Sequence, residues 1–138
     1  MEVLPNARLA WTPAPGHTLW GALSRTVRAP SRFDRDIYVP GAPPFLLDGG
    51  STVTSESARV AEFGYRGQPT ATLSYSVTAF HARYDDLRTQ EVAASRTYVY
   101  YANKMEGSTN GIEMWGTWQA MPHLRLNAGM NALHEGLR

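Results

Sequence analysis

Apolar and polar residues alternate along most of this chain in runs with a period of two, punctuated by proline and glycine. Such alternation sends successive side chains to opposite faces of a strand. About six segments follow from it. The first, near residues 7–12, puts Ala7, Leu9 and Trp11 on one face. The second, residues 17–28, sets Leu19, Leu23 and Val27 against Ala22, Ser24, Thr26 and Arg28, with Arg25 interrupting the apolar face near the strand's end. The third, residues 57–66, sets Ala61, Phe63 and Tyr65 against Val60, Glu62, Gly64 and Arg66. In the fourth, Leu73, Tyr75, Val77 and Ala79 alternate strictly with Thr72, Ser74, Ser76 and Thr78. The fifth, residues 107–119, sets Ile112, Met114, Gly116 and Trp118 against Glu113, Trp115 and Thr117. The sixth sets Leu124, Leu126, Ala128, Met130 and Ala132 against Arg125, Asn127, Gly129 and Asn131.

The connections between these segments run short, long, short, long, short. Residues 12–16, 67–70 and 120–123 hold the proline, glycine and polar residues of tight turns. Residues 29–55 read as irregular: Pro30, Pro40, Pro43, Pro44 and the pair Gly49-Gly50 argue against a helix or a central strand. Tyr84-Asp85-Asp86-Leu87 opens a second polar connection, through residues 95–104, that carries Tyr98, Tyr100 and Tyr101. Short turns at one end and long loops at the other are the asymmetry of a transmembrane β-barrel. The longer segments, of about 10 to 14 residues, exceed the usual globular strand of roughly 5 to 6 and suit a tilted crossing of a bilayer. Trp11 and Trp118 fall near short turns, where an interfacial aromatic girdle is expected. The predicted class is therefore all-β: antiparallel, up-and-down strands forming part of a transmembrane barrel wall. A soluble sandwich or barrel, acting as a binding or structural module with the same residues facing a protein core, is the alternative.

Composition adjusts this picture little. The chain is 43% hydrophobic over 138 residues, with net charge +1, which gives no strong electrostatic case for nucleic acid or anionic lipid. Its mean hydropathy is negative, as expected when barrel strands average apolar and polar faces. There is no cysteine, which excludes disulfides, thiolate metal sites and a cysteine nucleophile. Met1-Glu2-Val3-Leu4-Pro5 has neither the basic nor the apolar region of a signal peptide.

Several segments go beyond pattern. Residues 4–36 end a strand on Arg28-Ala29-Pro30-Ser31, and residues 56–69 carry Glu62, Gly64, Tyr65 and Arg66. Residues 78–89 follow, and residues 103–130 hold Gly111 and Glu113. In this order they resemble the barrel strands of TonB-dependent receptors: the arginine–x–proline strand end, the Glu-x-Gly-aromatic-Arg strand, and a Gly-x-Glu hairpin. The resemblance covers nearly the whole chain as a partial barrel domain, 1–138. It implies a bacterial outer-membrane parent that takes up a metal chelate such as a ferric siderophore, driven through TonB. The family's plug domain, its full set of about 22 strands and its terminal aromatic residue are not visible here, so the chain reads as an internal piece.

No catalytic constellation stands out, and no enzyme, cofactor or metal site is expected. His17, His81, His123 and His134 are scattered without ligand spacing, and Gly49-Gly50 lacks the context of a phosphate loop. With Leu19, Leu73, Ile112 and Leu126 toward outer-membrane lipid, Arg28, Glu62, Arg66, Glu113, Arg125 and Asn127 would point to the lumen and, by the resemblance, toward the plug. Candidate ligand contacts lie in the long loops: Arg32, Tyr38, Tyr98, Tyr100 and Tyr101, the tyrosines because a flat apolar ring with a hydroxyl suits an amphipathic chelate.

Overall fold

The computed structural model describes residues 2–42 and 47–138. Pro43 and Pro44, which entered the reading of the first long loop, lie outside the described residues. The chain forms strands β1 (Asn6–Ala14), β2 (His17–Arg28), β5 (Glu56–Thr70), β6 (Leu73–Val92), β7 (Val99–Met121) and β8 (Leu124–Leu137). Between β2 and β5 come helix α1 (Arg32–Asp36) and the two-residue strands β3 (Tyr38–Val39) and β4 (Leu47–Asp48). Each long strand pairs antiparallel with the next in sequence, giving the order β1-β2-β5-β6-β7-β8. Among the described residues no pairing joins β1 to β8, so the sheet is one curved, unclosed layer.

Register fixes the two faces, because residues directly opposite each other project to the same side. Leu19, Tyr65, Val77, Met114 and Met130 form one continuous row across five strands. Gly21, Phe63, Ala79, Ile112 and Ala132 form the row beside it. This face is apolar and uncovered: Leu9, Leu23 and Phe63 are 76%, 64% and 61% exposed. The opposite face is polar and crowded. There Trp20 lies over Gly64 and Phe80 over Gly111, and Ala22, Ser76 and Ala82 are buried. No second sheet covers Leu73, Tyr75 and Val77 among the described residues, so the sandwich alternative is not what this chain forms.

The short turns sit at Pro15-Gly16, Ala71-Thr72 and Pro122-His123. Gly16 takes φ +77, a conformation closed to most other residues, and its missing Cβ would fall 2.5 Å from the Gln68 carbonyl oxygen. The second turn lies beyond the expected 67–70. Pro69 stays within β5, inside the register break between Gly67 and Thr70, just as Pro13 lies in the break between Trp11 and Ala14. A proline has no N–H for the ladder, so both are accommodated where pairing is interrupted.

The long connections depart most from expectation. The polar stretch after Tyr84 continues β6 to Val92 and is answered by β7 from Val99, leaving only residues 93–98 as the tip. Two register breaks around Leu87, with Asp86 at φ 61, re-aim the hairpin beyond that point. At about 3.3 Å per residue, the 20 residues of β6 reach roughly 65 Å, far more than a tilted bilayer crossing of about 9–11 residues needs. The hairpin therefore stands well clear of the apolar band. The described part of the first long loop also takes regular structure: α1 forms despite the prolines, and β4 pairs parallel with the protruding part of β7. Gly50 makes that docking possible, since a Cβ there would collide with the Tyr101 carbonyl oxygen and with Val53. Replacing Gly50 with alanine should undock the loop from the hairpin while leaving the wall strands intact. Faster amide exchange confined to residues 29–55 and 93–104 would verify this.

Candidate functional site

Among the described residues a compact core lies where the 29–55 loop meets the protruding hairpin: Val53, Ala93, Tyr101 and Ala102 are buried there, with Asp34 only 1% exposed. The local sequence builds this from Ser31 onward. Its hydroxyl accepts from the Asp34 N–H at 3.2 Å, and the Asp34 carboxylate accepts in return from the Ser31 N–H at 2.8 Å. This reciprocal capping box starts α1. The same carboxylate accepts from Arg88 on β6 and from Arg28 Nη2 at 3.4 Å. Arg28 also pairs with Glu56 Oε1 at 2.8 Å, and that oxygen accepts from the Arg88 main-chain N–H at 3.0 Å. Two cations and two anions thus tie the end of β2, the helix, the start of β5 and the hairpin together. Arg88 stacks over the Tyr101 ring at 4.8 Å, and Phe33 packs 6.4 Å from that ring. Asn103 closes the far side, accepting from the Thr54 N–H at 2.8 Å.

The Asp34 carboxyl is held down to about 2, foremost by the Ser31 main-chain N–H, against the opposing effect of burial, and further by the Ser31 hydroxyl and Arg88. A depressed carboxylate stabilises the docked loop above its ordinary value of 3.8, and that contribution is lost as pH falls from there toward 2.

The five loop candidates separate by position. Arg32 has a side chain 95% exposed and, among the described residues, pairs only with Asp36, at 3.3 Å. Tyr101 is 5% exposed, packed beneath Phe33 and Arg88, so its ring belongs to the loop's core and not to an outward contact surface. The remaining tyrosines converge. Tyr38 opposes Asp48, Asp48 opposes Tyr100, and Tyr100 opposes Glu91, so the register sets them in one cross-strand row. Tyr98 lies against Tyr100, centroids 6.1 Å apart, and Lys104 sits 5.9 Å above the Tyr100 ring while pairing with Glu91 at 3.3 Å. The result is an aromatic row that also holds two carboxylates, Asp48 and Glu91, with Lys104 paired to the second.

Arg28, Glu62, Arg66, Glu113 and Arg125 all fall on the polar face by register. They do not form one cluster. Arg28 is taken by the loop network, Arg125 donates to Gln119 Oε1 at 3.1 Å, and among the described residues no ion pair joins Glu62, Arg66 and Glu113. Asp34, Glu56 and Arg88 were not singled out in sequence. The Ser31-x-x-Asp34 spacing is a capping signature that could have flagged a helix start; Arg88 gave no such signal.

This wall of long antiparallel strands with short turns at one end and a docked loop at the other is matched, over residues 1–134, by the family described as TonB dependent receptor-like, beta-barrel. The chain belongs to that family of outer-membrane receptors. Solved TonB-dependent receptors superpose on it at low identity. They include the siderophore receptor PirA from Pseudomonas aeruginosa (TM-score 0.81, 13% identity, 96% of this chain and 28% of that one). The ferric enterobactin receptor PfeA, also from Pseudomonas aeruginosa, gives a TM-score of 0.80 at 16% identity, over 95% of this chain and 22% of that one. The copper transporter OprC gives 0.69 at 13% identity, over 94% and 20%. At these identities the likeness is one of fold, and the chain spans less than a third of each receptor's length. No curated protein matches the chain in sequence.

Two outcomes follow for the docked loop. Asp34→Ala should raise the rate of tryptic cleavage at Arg32 and Arg35 by about tenfold or more, since losing a buried charge partner costs several kcal/mol; digestion followed by mass spectrometry reads this. Acidifying from about pH 4 toward 2 should undock the same loop in the native protein. Asp34→Asn should lack that transition, read by amide exchange corrected for intrinsic rate.

Proposed function

We propose that this chain forms part of the barrel wall, and of the external ligand-collecting loops, of an outer-membrane receptor that takes up a metal chelate of the ferric siderophore kind. Energy would reach it through TonB and a plug domain, as the family membership suggests. The observation that carries the membrane placement is the continuous apolar face, which is exposed across all six long strands and, among the described residues, has no protein layer over it. In water such a surface far exceeds the patches that monomers tolerate; against lipid it is the expected surface. The opposing polar face, with Glu62, Arg66, Glu113 and Arg125, would line the lumen, where charge is hydrated and tolerated. Cargo of the siderophore class is supported by two of the superposing receptors, whose names give a siderophore and ferric enterobactin. Within this chain the row of Tyr38, Tyr98 and Tyr100 offers flat apolar rings with hydroxyls to an aromatic chelate.

The membrane placement is tested by neighbouring substitutions on opposite faces. Ile112→Arg should lower folding stability in lipid by about 2–4 kcal/mol, and Glu113→Lys by well under 1 kcal/mol. Urea-titrated tryptophan fluorescence in vesicles measures both. Equal effects, or a monodisperse chain that melts cooperatively without detergent, would remove the barrel-wall reading. For the ligand row, Tyr38→Ala combined with Tyr100→Ala should weaken binding of a ferric siderophore to the complete receptor by about tenfold or more, with surface abundance unchanged.

A further inference from the structure

We propose that the apolar face carries a binding site for the phosphate of an anionic membrane lipid, formed by Arg25, Arg59 and Arg83 at the edge of the apolar band. This rests on the barrel-wall reading above. Arg25 lies directly opposite Arg59, and Arg59 directly opposite Arg83, so three arginines from three neighbouring strands stand side by side. The adjacent row is Leu23, Ala61 and His81, on the same face and one step closer to the centre of the band. Like charges set opposite each other across strands destabilise a sheet unless anions compensate them.

The chain supplies part of that compensation, on one side only. Asp85 accepts from Arg59 at 2.7 Å and from Arg83 at 3.0 Å, Glu106 pairs with Arg83 at 3.3 Å, and Glu2 pairs with Arg25 at 3.3 Å. Asp85 and Glu106 sit two residues farther from the apolar band than the row itself. On the band side is a groove of about 470 Å³, which Arg25, Arg59, Arg83 and His81 line without a carboxylate. Its floor includes Leu23 and Ala61. The Arg59 side chain is 65% exposed and, among the described residues, bonds only Asp85, which leaves most of its five N–H donors for a ligand.

The groove continues into a second one of about 520 Å³ through the shared residues Ala7 and Leu23. That second groove runs down the band between Leu9, Trp11, Leu19 and Phe63. A polar head on the arginines with acyl chains along the apolar grooves is the geometry of a phospholipid. A free phosphate would use the arginines and ignore the grooves. Depth agrees as well. The row crosses about 10 Å of sheet, which at a strand tilt near 40° spans only about 6 Å along the membrane normal, roughly the headgroup layer.

The test uses the complete receptor containing this chain, purified in non-ionic detergent and titrated with phosphatidic acid, phosphatidylcholine or inorganic phosphate, with retained lipid read by native mass spectrometry. Phosphatidic acid should be retained over phosphatidylcholine by about tenfold, because its monoester carries more negative charge and has no choline cation to oppose the arginines. Arg59→Gln with Arg83→Gln should bring the two lipids to parity. Arg59→Lys with Arg83→Lys, which keeps the charge, should retain a preference and shows that the wall still folds. Parity in the unaltered receptor, or a preference that survives the glutamine pair, overturns the proposal. So does displacement of the lipid by equimolar inorganic phosphate, which would mark a free-anion site. Retention of neither lipid overturns the barrel-wall reading itself, whereas equal retention of both leaves that reading standing and removes only the arginine site.

Discussion

Main-chain N–H and C=O groups facing hydrocarbon have no water to bond; β2, β5, β6 and β7 satisfy them on sequence neighbours at both edges, and β1 and β8 at one. The rest of the structure depends on that ladder. It forces the period of two, because a strand held by neighbours on both edges has only its two faces left for side chains. It forces each strand to pair with the next, since a short turn is the simplest way to supply a partner. It also explains where proline is permitted: Pro13 and Pro69 both fall in register breaks near the turns.

With the wall built from pairing, side-chain burial is free to serve another purpose. A soluble domain of this length would bury large apolar residues in one core, whereas here the large apolar residues are exposed in a band. The buried residues of the sheet itself are small: Ala22, Ser76 and Ala82 on the polar face. A conventional core appears only beyond the band, where water returns and the loop must hold itself together. There the Asp34 carboxylate joins Ser31, Arg28 and Arg88, and Tyr101 fills the space beneath. One side chain thus links a helix cap to a strand end and a distant hairpin, so the outer surface that presents Tyr38 and Tyr100 is held by the same network that closes the loop.

The arginine row at the edge of the band belongs to neither region. In sequence, Arg25 is a flaw in an apolar face, Arg59 lies near the start of the third segment, and Arg83 stands just before the polar stretch. Pairing brings them to one level. The same is true of Tyr38 and Tyr100, whose alignment depends on a two-residue strand pairing parallel to β7.

The amino-acid order alone determined the all-β class, the faces of the six wall segments, the short-turn end and the family, because each rests on information local to a strand. Leu73, Tyr75 and Val77 alternate with serines whatever surrounds them, and a turn rich in proline and glycine reads the same in any context. Tertiary structure decided the rest. The segment after Tyr84 shows no apolar periodicity, since above the band neither of its faces needs to be apolar, and only its pairing with β7 makes it strand. Helix α1 forms among prolines because its cap is completed by arginines 6 and 54 residues from Asp34. Tyr101 and Tyr100 are adjacent in sequence and opposite in role, one buried and one in the outward row, because a strand sends neighbours to opposite faces and the loop covers only one of them. Long-range partners of this kind leave no periodic trace, so they could be located only once the chain was folded.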